Sequence, residues 1–398
     1  MVRGGTLAAL VALAAGAAIA DTAPAAAEPA PMADPGQPLV GLGSPALGAP
    51  GGLAGAAAAP QRPISLSAYF ILGGQWVQQD PNYLGAGRNN GFQLADARLE
   101  ITGKPADNFW LYLSFDGAVT SRSPADPLKG TRTTELKDAY GVFSPGWHLR
   151  LQGGQFKAPQ DVEDLLEETE IKFPTRSIVT NGVQPPSGYL QDGLALGRQV
   201  GLAVGTDAIP LPFGTVAAQV AITNGNGPNQ LFNDTNVPSV SGRISVGILG
   251  FASIGADGYY QARATGTLPD LFRDDLTGFG ADLRVQKGPA HFMALVQART
   301  TKHVTTGAPD ESALGWSAEA AWMFFGFFEP AVRYSVLDPN DKVPANKVSE
   351  FSAALNVYSF GVLGQGVARL SLAYVHRGEE PARSLQNDGL DLAAQVRF

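Results

Sequence analysis

The sequence contains no cysteine, so disulfide bridges, thiolate catalysis and cysteine-based metal sites are all excluded. Beyond the N-terminal region it also lacks any run of about 18 apolar residues, which excludes an apolar helix that crosses a bilayer. Positive charge is scarce, because 28 lysines and arginines stand against 36 aspartates and glutamates, for a net charge of -8. A nucleic-acid-binding surface needs a basic patch, so we expect no nucleic-acid partner.

Catalytic and metal-binding motifs are scarce as well. The 4 histidines are scattered, and none lies in the His-Glu-x-x-His spacing that could hold zinc. No Gly-x-Ser-x-Gly element is present, so nothing indicates the nucleophile turn of a hydrolase. The stretch Asp338-Pro339-Asn340-Asp341 could bind calcium but is typical of a turn. We therefore predict that the protein is not an enzyme and needs no cofactor or resident metal.

The N-terminal residues indicate export. Arg3 precedes an uncharged run of small and apolar residues, and residues 18–20 (Ala-Ile-Ala) fit the small-x-small pattern of signal-peptide cleavage. Residues 25–27 offer an alternative site, with cleavage after Ala27. The segment that follows is rich in alanine, proline and glycine, which is typical of an unfolded linker. The predicted organisation is a signal peptide over 1–20, a linker over 21–63 and a folded domain over 64–398.

From residue 64 onward, apolar and polar residues alternate in short segments. Leu99 and Ile101 alternate with Arg98 and Glu100, and a similar segment runs to the last residue, Phe398. Side chains alternate between the two faces of a strand, so each segment has one apolar and one polar face. A soluble sandwich could share this pattern, but about sixteen such segments with charges of both signs favour a larger closed structure. We predict a transmembrane antiparallel β-barrel of about 16 strands, with 14 to 18 as the range.

Aromatic residues near the ends of these segments predict the interfacial girdles of such a barrel. The candidates are Trp76, Trp110, Trp147, Trp316, Trp322 and the phenylalanine cluster over 324–328.

Several fragments resemble the phosphate-selective porin O and P family, through their order and spacing. They include Ala97-Arg98-Leu99-Glu100-Ile101, Leu136-Lys137-Asp138-Ala139-Tyr140, Gly154-Gln155-Phe156-Lys157-Ala158-Pro159, Phe173-Pro174-Thr175-Arg176-Ser177 and Thr223-Asn224-Gly225-Asn226-Gly227. The resemblance covers residues 64–398 and implies a passive, homotrimeric channel of sixteen strands in the outer membrane of a Gram-negative-type bacterium. It also implies a constriction made by loops that fold inward.

The candidate constriction is the acidic stretch over 159–178, a non-strand insert where the family folds a loop into the lumen. A proline followed by acidic residues predicts a helix start, and Val162, Leu165 and Leu166 would anchor it. A solvated external loop is the alternative. Charged residues of the strands are further candidates. A charge that faces lipid costs roughly 2–4 kcal/mol near the bilayer midplane, so the charged face of each strand should point into the lumen. The predicted pore-lining and selectivity residues are Asp96, Arg98, Glu100, Asp116, Arg150, Lys157, Asp161, Glu163, Asp164, Arg176, Asp282, Arg284 and Arg333.

One departure from the family bears on selectivity. Phosphate-selective members often carry two arginines just before the Ala-Arg-Leu element, where this chain has Ala95 and Asp96. This favours a general porin for small hydrophilic solutes and ions, phosphate or other anions among them, with membrane lipid as its other partner. Two alternatives stay open: a structural or adhesive barrel with a plugged lumen, and a soluble periplasmic β-sandwich that binds a ligand.

Overall fold

The computed structural model describes residues 64–83, 85–88, 90–123, 126–230, 232–267, 269–359 and 367–398. The predicted signal peptide and linker lie outside these residues. The strands are β1 (Ile64–Val77), β2 (Gly91–Ala106), β3 (Phe109–Ser123), β4 (Asp126–Gly146), β5 (Leu149–Lys157), β6 (Arg198–Thr206), β7 (Ile209–Leu211), β8 (Gly214–Thr223), β9 (Ser239–Ile248), β10 (Ala252–Thr267), β11 (Asp270–Lys287), β12 (Ala290–His303), β13 (Glu311–Trp322), β14 (Phe328–Asp338), β15 (Val348–Tyr358), β16 (Val367–Glu379) and β17 (Gly389–Arg397). Two short helices, α1 (Val162–Leu165) and α2 (Ile178–Asn181), lie between β5 and β6, and one 3-10 turn (Pro381–Arg383) precedes β17.

The strands form one closed antiparallel barrel. Each strand pairs with its neighbours in the chain, and β1 pairs with both β2 and β17, which removes every open edge. Strands β6 and β7 both pair with β8 and together make one barrel strand, interrupted at Asp207 and Ala208. The barrel therefore has 16 strands, as the sequence predicted. Closure excludes the alternative of a two-sheet sandwich.

The two ends of the barrel differ in their connections. We call the end with the brief connections at 107–108, 147–148, 212–213 and 288–289 the short-turn end. The other, the long-loop end, carries the loops over 78–90, 158–197, 224–238, 339–347 and 380–388. The final strand closes the barrel at the short-turn end, where Phe398 N donates to the Ala68 carbonyl at 3.0 Å and Ala68 N donates to the Phe398 carbonyl at 2.9 Å. The alternating segment that ends at Phe398 is thus the closing strand.

The two faces of the wall have the predicted chemistry. Outward side chains such as Leu202 and Phe279 are apolar and exposed, at 69% and 67%. Inward side chains such as Asp96, Arg333 and Asn356 are polar and buried. An apolar outer surface suits lipid and a polar inner surface suits water, which is the arrangement of transmembrane barrels. None of the helices in the described part of the chain is long and apolar enough to cross a membrane.

Most of the predicted girdle residues lie on the outer surface, although Trp316 is in the middle of β13, and Trp110 does not lie on that surface. Trp76, Trp147, Trp316 and Trp322 are exposed, and Phe324, Phe325 and Phe327 are exposed at the short-turn end. Trp110 instead lies on the inner face of β3, where its ring is 5.7 Å from that of Tyr140 and the Arg150 guanidinium lies 5.7 Å from its centroid. Trp110 and Tyr112 are two residues apart, so the alternation of a strand places both on the same, inner face. Closeness to a strand end does not change that face.

Candidate functional site

The most informative non-strand segment is the connection over 158–197, which we call the β5–β6 loop. It starts at the long-loop end but is buried inside the barrel, with Asp161 at 0% and Glu163 at 1% exposed. Asp161 caps α1, because its carboxylate accepts hydrogen bonds from Glu163 N at 2.9 Å and Asp164 N at 3.4 Å. The Ser177 hydroxyl caps α2 by accepting from Thr180 N at 3.4 Å. The helix start predicted after Pro159 is therefore present, although α1 is only one turn long.

Apolar contacts fasten the β5–β6 loop to the barrel wall. Seven loop side chains join five inward side chains of β12 to β15 in one buried cluster, which consists of Val162, Leu166, Ile171, Ile178, Val179, Val183 and Leu194 with Met293, Leu295, Ala313, Leu337 and Val348. Gly315 permits the close approach of α2, since a Cβ there would lie 2.8 Å from Val179 Cγ1. Burial of so many apolar groups favours one docked position of the loop. The alternative of a solvated external loop is wrong.

A buried ion pair reinforces this docking. Arg333 on β14 donates to Glu163 Oε1 at 3.4 Å and to Glu350 Oε1 at 3.2 Å. The same guanidinium donates to the Thr175 carbonyl at 2.8 Å and lies 4.4 Å from the centroid of the Phe173 ring. Three of these four contacts are to the loop. Buried charges persist only when they are paired and hydrogen-bonded, and Arg333 meets this requirement through its contacts with the loop and with Glu350.

The carboxylate of Glu163 has further partners within the loop. Ser177 N donates to it at 2.9 Å and Thr180 Oγ1 at 2.7 Å, and the Ser177 hydroxyl donates to it as well. Thr180 Oγ1 also lies 2.8 Å from Asp161 Oδ2. These bonds join α1 to the N-terminus of α2.

Other wall residues hold the loop along its length. These contacts are Arg98 with Glu167 at 3.6 Å, Lys172 with Glu329 at 3.0 Å, Gln160 with Gln297 at 2.9 Å, Arg369 with the Ile171 carbonyl at 2.6 Å, and Arg299 with the Gly193 carbonyl at 3.1 Å. They come from β2, β12, β14 and β16, so the loop crosses the lumen and does not follow one wall.

Two acidic residues of the loop have opposite pKa shifts. Burial, together with the nearby carboxylates of Glu163 and Asp164, raises the pKa of Asp161 to about 8. For Glu168, burial alone would raise the pKa, but contact with the Arg176 guanidinium prevails and lowers it to about 2. Arg176 also donates to the Glu163 carbonyl at 3.1 Å and to the Leu166 carbonyl at 2.6 Å. Near neutral pH, Asp161 is therefore mostly protonated and Glu168 ionised.

This difference predicts a pH-dependent stability. Because the pKa of Asp161 in the folded state exceeds its ordinary value of 3.8, its contribution is fully present below about pH 3.8 and is lost as pH rises through about 8. We expect the urea midpoint of the purified barrel to fall between about pH 6 and about pH 9, and to fall less in Asp161→Asn. The exposed Asp310→Asn is the control and should keep the full slope. An equal slope in Asp161→Asn would assign the effect to another group.

The predicted wall residues of β2 and β3 all lie on the inner face and are buried. Asp96 accepts from Arg98 Nη2 at 2.9 Å and from the Tyr69 hydroxyl at 3.2 Å. Glu100 accepts from Tyr112 at 2.9 Å, and Asp116 lies 3.8 Å from Lys137. The structure thus brings Asp96 and Arg98 together, next to the loop residue Glu167.

The remaining predicted residues fall into separate groups. Asp161, Glu163, Asp164 and Arg176 lie in the β5–β6 loop, and Lys157 donates to the Leu166 carbonyl at 2.7 Å. Arg333 reaches Glu163, as described. Two of the others do not join this group: Arg150 pairs with Asp207 at 3.5 Å, and Asp282 pairs with Arg243 at 2.7 Å. Arg284 lies beside Asp282 on the inner face of β11 and interacts electrostatically with Glu170 of the loop. Their influence on selectivity stays a prediction.

Several charged residues on the inner face of the barrel were not predicted from the sequence. Asp257 and Arg263 lie on the inner face of β10, and Arg243 lies on that of β9. Arg243 is 3.3 Å from Asp257. Strand parity would have found them, since Asp257, Tyr259, Gln261 and Arg263 alternate along β10.

A cavity of about 530 Å³ lies between the β5–β6 loop and the inner faces of β10 to β12. Loop residues 192–197 and Asp164 form one side, and Tyr259, Arg263 and Arg299 form the other.

Comparison with known proteins gives structural matches only. No protein-family model and no curated protein matches the chain. The anion-selective porin from Comamonas acidovorans aligns with a TM-score of 0.54 at 13% identity, over 84% of this chain and 98% of that porin. OmpF of Salmonella typhi, in complex with daunomycin, gives 0.57 at 11% identity over 84% and 97%. The trimer form of in-vitro-folded OmpT from Vibrio cholerae gives 0.53 at 8% identity over 84% and 99%. The chain has the fold of bacterial porins, and the narrower resemblance to phosphate-selective members stays a prediction.

Proposed function

We propose that this chain is a porin of a Gram-negative-type outer membrane, through which small hydrophilic solutes and ions diffuse passively. The observation that carries the proposal is the β5–β6 loop, docked inside a closed barrel whose inner face is polar and whose outer face is apolar. A loop so placed narrows a water-filled lumen to a constriction, and charges around a constriction select ions by sign. We also propose a homotrimer, which is the assembly named for OmpT of Vibrio cholerae.

Vesicle swelling tests passive diffusion directly. The purified full chain, reconstituted in vesicles, should admit a monosaccharide faster than a disaccharide and a disaccharide faster than a trisaccharide. Vesicles that do not swell with any sugar would contradict the proposal and support a barrel whose lumen is plugged. Heat-dependent mobility on gels, measured on the same sample, establishes that the barrel is folded.

Ion preference follows from the balance of inner charges. We propose a general porin, because the Asp96 carboxylate neutralises Arg98 at 2.9 Å beside the loop. In Asp96→Asn this neutralisation is lost while the side-chain shape is kept, so we expect the reversal potential in a salt gradient to shift toward anions. Asp107→Asn, at the exposed turn between β2 and β3, is the control and should not shift it. An unchanged potential in Asp96→Asn would place Asp96 outside the selective part of the channel.

A further inference from the structure

The cavity beside the β5–β6 loop carries unpaired charges of both signs. Most inner arginines elsewhere are neutralised, as Arg98, Arg243 and Arg333 are by carboxylates at 2.9, 2.7 and 3.2 Å. Arg263 and Arg299 are the two arginines that line this cavity, and among the described residues no carboxylate lies within 4.0 Å of either, which they share with Arg284 and Arg369 elsewhere on the inner face. Their charge is therefore available to a solute.

The orientation of these two arginines is partly fixed. Arg299 donates through Nη1 to the Gly193 carbonyl at 3.1 Å, which holds its side chain at the cavity wall. The Nε atoms of both arginines are buried and lack a hydrogen-bond partner within the described residues. A guanidinium held at a wall offers further donors in a planar fork, which matches the two oxygens of a carboxylate.

Acidic side chains line the same cavity from the loops. Asp164 belongs to α1, Asp192 to the later part of the β5–β6 loop, and Asp234 to the loop between β8 and β9. Across the described part of the chain, none of the three forms an ion pair, and Asp192 and Asp234 are exposed. The cavity thus has an arginine side on the barrel wall and an aspartate side on the loops.

We propose that this cavity binds zwitterionic solutes of the amino-acid and short-peptide class as they pass, which rests on the proposed porin function. The solute carboxylate contacts Arg263 and Arg299, and its ammonium group faces Asp164, Asp192 and Asp234. A volume of about 530 Å³ is in the range of small-molecule sites. An anion is attracted by the arginines but repelled by the aspartates. A cation is attracted by the aspartates but repelled by the arginines. Binding is weak, because a permeating solute must also leave.

Three peptides of nearly equal size test the charge requirement on the unmodified protein. Glycylglycine carries both charges, N-acetylglycylglycine only the negative one and glycylglycinamide only the positive one. In planar bilayers, glycylglycine should interrupt the ion current with a saturating concentration dependence. We expect the other two to need at least about ten times the concentration, equivalent to about 1.4 kcal/mol. Equal interruption by all three peptides would overturn the proposal.

Substitutions then locate the site. The double variant Arg263→Gln with Arg299→Gln, and separately Asp164→Asn, should each raise the glycylglycine concentration for half-maximal interruption by at least about tenfold. The matched control is Arg273→Gln, which lies on the outer face of β11 and pairs with Asp275 at 2.7 Å, and it should leave that concentration unchanged. Variants that respond like the unmodified protein would overturn the assignment. A protein without any conductance would instead contradict the porin function itself.

Discussion

Replacing Arg333 by methionine should release the β5–β6 loop and give larger, noisier single-channel currents. The substitution leaves Glu163 and Glu350 buried without their shared partner. Removing one member of a buried ion pair typically costs about 3–5 kcal/mol, because the remaining charge stays desolvated. We expect the variant to have a lower urea midpoint. We also expect its β5–β6 loop to be more mobile, which planar-bilayer recording would detect as a larger and fluctuating single-channel conductance.

The double variant Arg333→Met with Glu163→Gln separates the ion pair from simple loss of packing. If loss of the ion pair causes most of the destabilisation, Glu163→Gln should recover part of the lost stability, because it removes the carboxylate that Arg333→Met leaves unpaired. Arg273→Met, on the outer face of β11, is the control for loss of an arginine from the barrel wall. Unchanged conductance and noise in Arg333→Met would show that the apolar cluster alone holds the loop.

Replacing Phe279 by arginine should destabilise the barrel in lipid by roughly 2–4 kcal/mol. Phe279 lies near the middle of β11, points outward and is 67% exposed in the isolated chain. If this surface faces the hydrocarbon core, a guanidinium there must leave water without a partner. Urea unfolding in lipid vesicles, followed by heat-dependent gel mobility, measures the difference.

Phe279→Leu separates the charge from the loss of the ring. It keeps the position apolar, so we expect a much smaller loss of stability than for Phe279→Arg. Similar stability of the two variants would contradict a lipid-facing β11. It would also contradict the inward direction of Asp282, because the faces of a strand alternate.

The strand faces could be predicted from sequence because period-two patterning is a local property. Asp96, Arg98 and Glu100 alternate with Ala97 and Leu99, and a barrel in lipid allows only one orientation of such a strand. The closing strand was predictable for the same reason. The acidic stretch after Pro159 also stood out locally, because strands rarely contain so many carboxylates in sequence.

The partners of the loop could not be predicted, because they come from strands far along the chain. Met293 and Leu295 are apolar residues on a mostly polar inner face. The reason becomes visible only in the structure, where both pack against the docked loop. Likewise, Glu163 and Arg333 are 170 positions apart, and their contact depends on how the loop crosses the lumen. The distinction between paired and unpaired arginines has the same origin, since parity places Arg98 and Arg299 on the same face but does not give their neighbours.

If this chain is a porin, the lumen beside the docked β5–β6 loop conducts ions. Planar-bilayer recording of the purified full chain in a salt gradient tests this most directly. We expect stepwise conductance increments as single proteins insert, and a reversal potential that shifts in Asp96→Asn. A folded, heat-modifiable barrel that inserts without any conductance would contradict it, and the plugged, structural barrel would then be the correct description.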